Sequence, residues 1–206
     1  MDILRNPMGI FRIDRKSLLL IAMMPLAGMA LTGCATPPVS LIETAAEDRS
    51  AADIKTDTKI KAGILADINN RMGTVMAASL TVSIYEQTVM VTGKVKTPAE
   101  RAKVSDILRA TGGLKKFYNE VQVIPEGTET ENSTVDDVLV EQKFYGKLVT
   151  SAGVSHTNWR YDSVNGTLYL FGRALSKAEM NKVVAIAKDT TDVRKVVNYA
   201  FVRAAQ

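Results

Sequence analysis

The sequence predicts an α+β protein built from two tandem copies of one αββαβ unit. Three observations support this prediction. A shift of the chain by 79 residues aligns identical residues without a gap from 79 to 123. Apolar residues recur every four positions at the start of each copy, and apolar and polar residues alternate in the segments that follow. Each copy is expected to form a three-stranded sheet covered by two helices on one face.

The repeat is a set of identical residues at matching positions. The aligned pairs include Thr88 with Thr167, Gly93 with Gly172, Ala99 with Ala178, Glu100 with Glu179, Val104 with Val183, Ile107 with Ile186 and Asn119 with Asn198. Ahead of residue 79 the offset becomes about 84, which pairs Ile60 with Phe144 and Ile64 with Leu148. This second offset predicts about five extra residues between the first helix and the first strand of the first copy.

The first helix of the first copy is indicated by its apolar stripe. Ile60, Ile64 and Ile68 recur every four residues, so they lie on one face of a helix. Asp53 or Thr56 is the expected N-terminal cap, because short polar side chains accept hydrogen bonds from the first backbone N–H groups.

Two strands and a tight turn follow that helix. Leu80, Val82 and Ile84 alternate with polar residues, which is typical of a half-buried strand. Residues 86–87 form the turn, and the second strand is expected to end at Gly93, whose freedom lets the chain turn into the next helix. A third strand closes the copy.

The second helix of the first copy has clear start and stop signals. It begins at Thr97-Pro98-Ala99-Glu100, with Thr as the cap, Pro at the first helical position and Glu at the third, and it ends at Gly112-Gly113. The second copy repeats the order of elements. Its strongest signals are the hairpin pair Asn165-Gly166 and the capping pair Ser176 and Glu179.

The N-terminal segment resembles a bacterial lipoprotein signal peptide. A basic stretch precedes the apolar run 18–30, and Leu31-Thr32-Gly33-Cys34 holds the only cysteine of the chain. The resemblance implies covalent lipid (palmitate) on Cys34 and cleavage before it. A lone cysteine fits a modification site better than a disulfide.

Two other interpretations of this segment stay open. The apolar run is shorter than the roughly 20 residues of a spanning helix, although a short anchor has the same composition. A plain secretory signal would be cleaved near Ala30. Under the sorting rule of enteric lipoproteins, Ala35 after the lipidated cysteine implies the outer membrane, facing the periplasm.

Charge excludes one class of partner. The chain has 26 basic and 22 acidic residues, of which four and two lie in 1–33, so 22 and 20 remain after cleavage. A net charge of about +2 is too small for a nucleic-acid-binding protein, which concentrates basic residues on one face.

The repeat unit resembles the BON domain of bacterial envelope proteins. The matching motifs are Val91-Thr92-Gly93 and Leu170-Phe171-Gly172, with the closing segments 114–123 and 193–202. The whole layout is similar to dual BON-domain outer-membrane lipoproteins of the DolP-like and OsmY-like type. That resemblance implies association with anionic phospholipid and support of outer-membrane integrity.

The predicted organisation has five parts. They are a signal peptide at 1–33, a tether at 34–52, a first BON domain at 53–125, a linker at 126–133 and a second BON domain at 134–206.

Four aromatic residues are candidates for a domain interface. Tyr169, Phe171, Tyr199 and Phe201 fall on the sheet face that the helices do not cover, where the first copy is mostly polar. A small sheet does not leave four aromatics in water, so we expect the first domain to cover them. A partner surface or a lipid surface are the alternatives.

The first helix of the second copy is the candidate lipid-binding element. Val138 and Leu139 add apolar side chains near its start, and Tyr145 with Lys143 and Lys147 lies within two turns. Apolar residues beside lysines are typical of helices that insert at an anionic lipid interface. The alternative is a helix whose extra apolar residues pack on the other domain.

No catalytic or metal-binding motif is present in the sequence. The single histidine, His156, is expected in a surface loop, and the nucleophile, phosphate-loop and paired-histidine motifs are absent. The predicted function is therefore non-enzymatic phospholipid binding in the cell envelope, with no cofactor apart from the lipid on Cys34. The alternative is a protein–protein adaptor for envelope assembly or division factors.

Overall fold

Each copy of the repeat folds as an αββαβ unit in the computed structural model, which describes residues 47–128 and 134–203. All described residues fall within one compact unit. The elements of the first copy are α1 (Ala51–Met72), α2 (Thr74–Ala78), β1 (Leu80–Tyr85), β2 (Thr88–Val95), α3 (Pro98–Ala110), β3 (Lys116–Asn119) and β4 (Gln122–Val123). Those of the second are α4 (Thr134–Val149), a 3₁₀ turn (His156–Asn158), β5 (Trp159–Val164), β6 (Thr167–Ala174), α5 (Lys177–Lys188), β7 (Lys195–Asn198) and β8 (Phe201–Val202).

The long middle strand is the centre of each sheet. In the first domain β2 pairs antiparallel with β1 and parallel with β3 and β4. In the second domain β6 makes the same pairings with β5, β7 and β8. The predicted α+β fold is therefore confirmed, with one refinement: the closing strand of each domain is interrupted and forms two short pieces.

Each domain has its own apolar core between the helices and the inner face of the sheet. The first core is built around Ile64, Ile68, Val82, Val89, Val91, Val104 and Ile107. The second is built around Val140, Phe144, Leu148, Trp159, Leu168, Leu170 and Val183. Both cores come from the period-four helix stripes and period-two strand patterns of the sequence.

The structure corrects the offset of about 84 that the sequence suggested for the first helices. Buried Ile64 and Ile68 of α1 correspond to Phe144 and Leu148 of α4, which is an offset of 80. The sequence alignment was therefore wrong by one helical turn. Four residues rotate a helix by only about 40°, so an apolar stripe of period four matches itself after such a slip.

The helix caps differ in one place from the expectation. Ser50, and neither Asp53 nor Thr56, caps α1, because its side chain accepts the backbone N–H of Asp53 at 3.0 Å. The predicted capping box of α3 is present, with reciprocal bonds between Thr97 and Glu100.

Gly93 and Gly172 are required by close backbone contacts within the sheets. Both lie inside the middle strands and not at their ends, with φ of 122° and 112°. A Cβ atom at Gly93 would meet the Ser79 carbonyl oxygen at 2.2 Å, and one at Gly172 would meet that of Asn158 at 2.1 Å. The glycines thus permit the approach of the chain that enters β1 or β5.

Candidate binding surfaces

The outer faces of the two sheets pack against each other. β1 lies against β6 and β2 lies against β5. Between them is a third buried cluster, which we call the seam, formed by Tyr85, Met90, Val164, Tyr169 and Phe171. Two sheets that bury apolar side chains between their faces form a stable sandwich, so the two domains make one folded body.

The seam has approximate two-fold symmetry. Tyr85 and Val164 occupy equivalent positions of the repeat, as do Met90 and Tyr169, and all four side chains are buried together. The strand contacts are equivalent in the same way, since β1 and β5 are counterparts and so are β2 and β6. An interface that uses the same patch on both partners is typical of homodimers. Here the two partners are parts of one chain.

Aromatic and polar contacts close one side of the seam. Tyr118 stacks on Tyr199 with ring centroids 3.9 Å apart. The Tyr199 hydroxyl donates to Glu120 Oε1 at 2.5 Å, and this hydrogen bond, with burial, raises the pKa of Tyr199 to about 12. Gln122 Nε2 donates to the Tyr169 hydroxyl at 3.1 Å.

The four candidate interface aromatics differ in burial. Tyr169 and Phe171 are buried in the seam, and Tyr199 is partly buried at its edge. Phe201 remains 36% exposed, although its ring makes an edge contact with Tyr85 at 6.2 Å between centroids. Phe201 belongs to the two-residue terminal strand β8, and this position covers it less completely than the middle strand covers the others.

A buried aspartate caps the hairpin of each domain. Asp57 accepts the backbone N–H groups of turn residues 86–87 at 2.7 and 2.8 Å. Asp137 does the same for 165–166, at 2.9 and 3.0 Å. All four turn residues have positive φ, so the carboxylates fix turns of an uncommon backbone conformation. Asp137 lies in the first turn of α4, and its side chain is buried under the hairpin.

Equivalent cations cross between the domains. Lys94 on β2 donates to Asp137 Oδ2 of the second domain at 2.9 Å. Its counterpart in the repeat, Arg173 on β6, donates to Glu86 Oε1 of the first domain at 2.6 Å. Each domain therefore sends one charged side chain to the hairpin region of the other.

Residues 47–49, which we call the strap, lie against both domains just ahead of α1. The Asp48 backbone N–H donates to Asn158 Oδ1 at 2.7 Å, and Arg160 Nη2 donates to Glu47 Oε1 at 2.5 Å. The Glu47 side chain is only 3% exposed. The strap is thus held by the start of β5 in the second domain.

Arg49 connects the strap to the first domain. Its guanidinium pairs with the hairpin-capping Asp57 and with Glu47, and it lies over the Tyr85 ring at 4.8 Å from the centroid. The end of the predicted tether 34–52 is therefore part of the fold, since the strap is packed and α1 already begins at Ala51.

Two clefts flank the seam at positions related by the approximate two-fold symmetry. One, the basic cleft, has a volume of about 360 Å³ and is lined by Arg49, Lys61, Ala62, Leu65, Ile84 and Arg160, among others. The other, the acidic cleft, has a volume of about 320 Å³ and is lined by Thr81, Lys94, Asp137, Val138, Glu141 and Asp162, among others.

The acidic cleft holds carboxyl groups with unusual proton affinity. Burial, with the nearby Asp162 and Asp137, raises the pKa of Glu141 to about 7. Burial also raises the pKa of Asp162. The cleft therefore favours protonated carboxyl groups near neutral pH. Within the described ranges, no group of three or more His, Cys, Asp or Glu side chains is placed to hold a metal ion.

The candidate lipid-binding helix α4 has an exposed apolar stripe. Val138 and Leu139 are each 45% exposed, Tyr145 is 41% exposed and Val149 is 39% exposed. Val138, Tyr145 and Val149 are spaced by seven and four residues, so they share one face of the helix. This face lies away from the buried stripe of α4.

The two candidate lysines of α4 are engaged in ion pairs. Lys143 Nζ lies 2.6 Å from Asp192 Oδ2, and Lys147 Nζ lies 2.8 Å from Asp189 Oδ2. Lys143 is two residues from Tyr145, which places them about 200° apart around the helix. Sequence proximity suggested that these lysines would lie beside the apolar stripe. The structure places them on a different side of the helix.

The predicted lipidation site and signal peptide lie outside the described residues, as does the first part of the tether. In the part of the chain that the structure covers, none of the helices combines the length and apolar character needed to cross a bilayer. The sequence analysis missed the strap and both clefts, because their charged residues come together only when the two sheets pack.

Two αββαβ units packed through their open sheet faces define a tandem-domain scaffold with binding surfaces at its seam and on its helices. The BON domain family model matches residues 56–125 and 136–204, which is more than half of the chain. The chain therefore belongs to the BON domain family, and the resemblance of the repeat unit to the BON domain is confirmed.

One curated relative is a protein of Anaplasma centrale described as an uncharacterized protein in the gshII 5' region. It is 30% identical over 122 residues, which are 59% of this chain and 80% of that protein. Solved structures of CdsD, a structural protein of the type III secretion system of Chlamydia trachomatis, are also similar.

The first CdsD structure has 12% identity, a TM-score of 0.30, and coverage of 72% of this chain and 94% of that one. Its C-terminal domain has 18% identity, a TM-score of 0.29, and coverage of 69% and 67%. Likeness at this level carries no inference about function.

Proposed function

We propose that this protein is a non-enzymatic lipoprotein of the outer membrane, facing the periplasm, that binds phospholipid through its second BON domain and supports envelope integrity. The observation that carries the proposal is the exposed apolar stripe of α4, formed by Val138, Tyr145 and Val149, with exposed Leu139 about 100° from Val138 around the helix. Such residues gain free energy when they enter the interfacial layer of a bilayer. The lipid on Cys34 would hold this surface at the membrane.

Two weak attachments are sufficient for such a protein. A covalent anchor raises the effective concentration of the membrane at the helix, so the stripe needs only modest affinity of its own. The predicted tether, from residue 34 to the strap, sets how far the folded body can reach from the anchor. Among the described residues the fold offers binding surface and no recognisable catalytic constellation, which supports a binding role.

The ion pairs of the α4 lysines determine whether the helix prefers anionic lipid over neutral lipid. Lys143 and Lys147 are each paired with a carboxylate of the same domain, and exposed pairs of this kind contribute little to stability. Anionic headgroups could exchange with Asp192 and Asp189 at small cost. The paired state of the lysines also favours the second candidate function, a protein–protein adaptor that uses the apolar stripe and needs no lipid charge.

The test is sedimentation of the 35–206 fragment with vesicles of phosphatidylcholine alone or with phosphatidylglycerol. We expect binding to vesicles that contain phosphatidylglycerol, and we expect Tyr145→Glu to weaken it by about tenfold, since the change places a charge in the apolar stripe. Leu175→Glu is the matched control, because Leu175 is similarly exposed but lies outside α4. An unchanged affinity in Tyr145→Glu would show that the apolar stripe of α4 is not the lipid contact.

A charge-release variant separates the two candidates. Asp192→Asn frees the Lys143 ammonium from its partner, so it should strengthen binding to phosphatidylglycerol vesicles, while Lys143→Gln should weaken it. If the wild-type fragment binds no vesicle of either composition, the adaptor function is supported instead.

A further inference from the structure

We propose that the basic cleft at the seam is a binding site for a phosphate ester. The site lies on the opposite side of the two-fold axis from the acidic cleft and does not include the apolar stripe of α4. It therefore goes beyond the proposed function and does not depend on it.

The charge of the cleft points to an anionic ligand. Arg49, Lys61 and Arg160 line it, against two carboxylates, Glu47 and Asp57. Both carboxylates are already bound: Glu47 by the two arginines, and Asp57 by Arg49 and the hairpin N–H groups. One positive charge therefore remains uncompensated.

Lys61 carries that remaining charge. Among the residues that the structure describes, no carboxylate lies within ion-pair distance of Lys61. Lys61 and Arg160 line the same cleft, and desolvation, followed by the charge of Arg160, lowers the pKa of Lys61. An anion bound in the cleft would offset the charge of these cations and accept a charge-assisted hydrogen bond from Lys61 Nζ.

The walls of the cleft define the rest of the ligand. Ala62, Leu65 and Ile84 form an apolar side, and Leu65 is 37% exposed. The Thr58 and Ser83 side chains lie on the same lining and add hydroxyl groups. A volume of about 360 Å³ accommodates a phosphate group with a small organic substituent. A membrane headgroup such as glycerol phosphate and a free phosphate ester share this chemistry.

The acidic cleft shows that the basic character is specific to one side. Glu141 stands where the first domain has Lys61, four residues after the hairpin-capping aspartate. Thr81 stands where the second domain has Arg160, and Asp162 where the first has Ser83. Each of these three differences makes the basic cleft the more positive of the two. The same scaffold thus presents opposite charges at equivalent positions.

The experiment is a calorimetric titration of the full chain in phosphatidylcholine nanodiscs with glycerol 3-phosphate. We expect saturable binding that Lys61→Gln weakens by about tenfold, as the loss of one charge-assisted contact predicts. Lys59→Gln is the matched control, because it removes an exposed lysine from the other side of α1 and should leave the affinity unchanged. Tyr145→Glu should also have no effect here, which separates this site from the α4 stripe.

A second titration identifies the source of the ligand. In nanodiscs that contain phosphatidylglycerol, a weaker apparent affinity for the free ester would show that a membrane headgroup fills the cleft. An unchanged affinity would assign the site to a soluble ester. The proposal is overturned if no saturable binding occurs in phosphatidylcholine nanodiscs, if Lys61→Gln binds like the wild type, or if Lys59→Gln loses as much affinity.

Discussion

The two domains share one αββαβ scaffold but differ in charge in the clefts that flank the seam. Both have an aspartate under the hairpin, a glycine inside the middle strand and a cation that reaches across to the other domain. In the clefts, however, Lys61 and Glu141 stand at equivalent positions. The comparison shows that the two copies keep the residues that build the fold, while the positions that line the clefts have diverged in charge.

Substitution of the strand glycines tests whether the two domains depend equally on the close backbone contacts in their sheets. Gly172→Ala should cost about 3 kcal/mol or more of the free energy of unfolding, because a Cβ would meet a backbone oxygen at 2.1 Å and φ is positive. Gly93→Ala should cost a similar amount. Gly153→Ala is the control, since φ is also positive there but the added Cβ meets nothing within 4 Å, and its cost should be about 1 kcal/mol. Urea unfolding measures all three, and equal costs at Gly153 and Gly172 would contradict the close-contact explanation.

The hairpin aspartates should differ in importance between the domains. Asp57→Asn should cost about 3 kcal/mol and Asp137→Asn about 2 kcal/mol, because an amide cannot accept both hairpin N–H groups and each change removes a carboxylate from an ion pair. The partner of Asp57, Arg49, is 6% exposed, whereas Lys94 beside Asp137 is 26% exposed. The first hairpin also places Glu86 and Gln87 at positive φ, whereas the second uses Asn165-Gly166, a pair that adopts this conformation more readily. A larger cost at Asp137 in thermal or urea unfolding would overturn this ranking.

Glu141 makes the acidic cleft sensitive to pH. Its pKa is raised from 4.5 to about 7 in the folded protein, so the folded state binds the proton more tightly than the unfolded state. Stability should therefore fall as pH rises from about 4.5 through about 7. Glu141→Gln should remove this loss. The loss amounts to about 1 kcal/mol in the free energy of unfolding, after allowance for partial solvent screening. The melting temperatures of both proteins at pH 5 and pH 8 check the sign, and a wild-type protein that gains stability with rising pH would refute it.

The hydroxyl of Tyr199 should contribute the smallest effect. Tyr199→Phe removes the bond to Glu120 but keeps the ring stacked on Tyr118, so we expect a loss of about 1 kcal/mol. Because the pKa of Tyr199 is raised to about 12, its contribution should be lost as pH rises from about 10 through about 12. Absorbance titration of tyrosine ionisation would show one fewer late-titrating group in the variant. An unchanged titration curve would contradict the assignment.

The sequence alone predicted the fold and much of its layout. Strand alternation distinguished the inner from the outer sheet faces, and the offset of 79 located the equivalent elements, because these patterns follow directly from backbone geometry. The predicted alignment of the first helices of the two copies was displaced by one turn, because an apolar stripe of period four has no unique alignment. The equivalent Asp57 and Asp137 would have determined the correct alignment. Their role was not visible in the sequence, because the hairpins that they contact lie about thirty residues away.

The strap and the clefts were not predictable from local pattern. Glu47, Asp48 and Arg49 follow an Ala-rich stretch and have the composition of a solvated tether. Their partners Asn158 and Arg160 are more than a hundred positions away. Charge partners at such separation depend on how the two sheets pack, and the sequence holds no periodic signal for that packing.

The central claim is that the two BON domains form one body through the seam. Its most direct test is the measurement of nuclear Overhauser effects in the 35–206 fragment, between the stacked rings of Tyr118 and Tyr199. We predict strong cross-peaks between these rings, together with a single rotational correlation time for both domains. Missing ring contacts and two domains that tumble independently would contradict the claim.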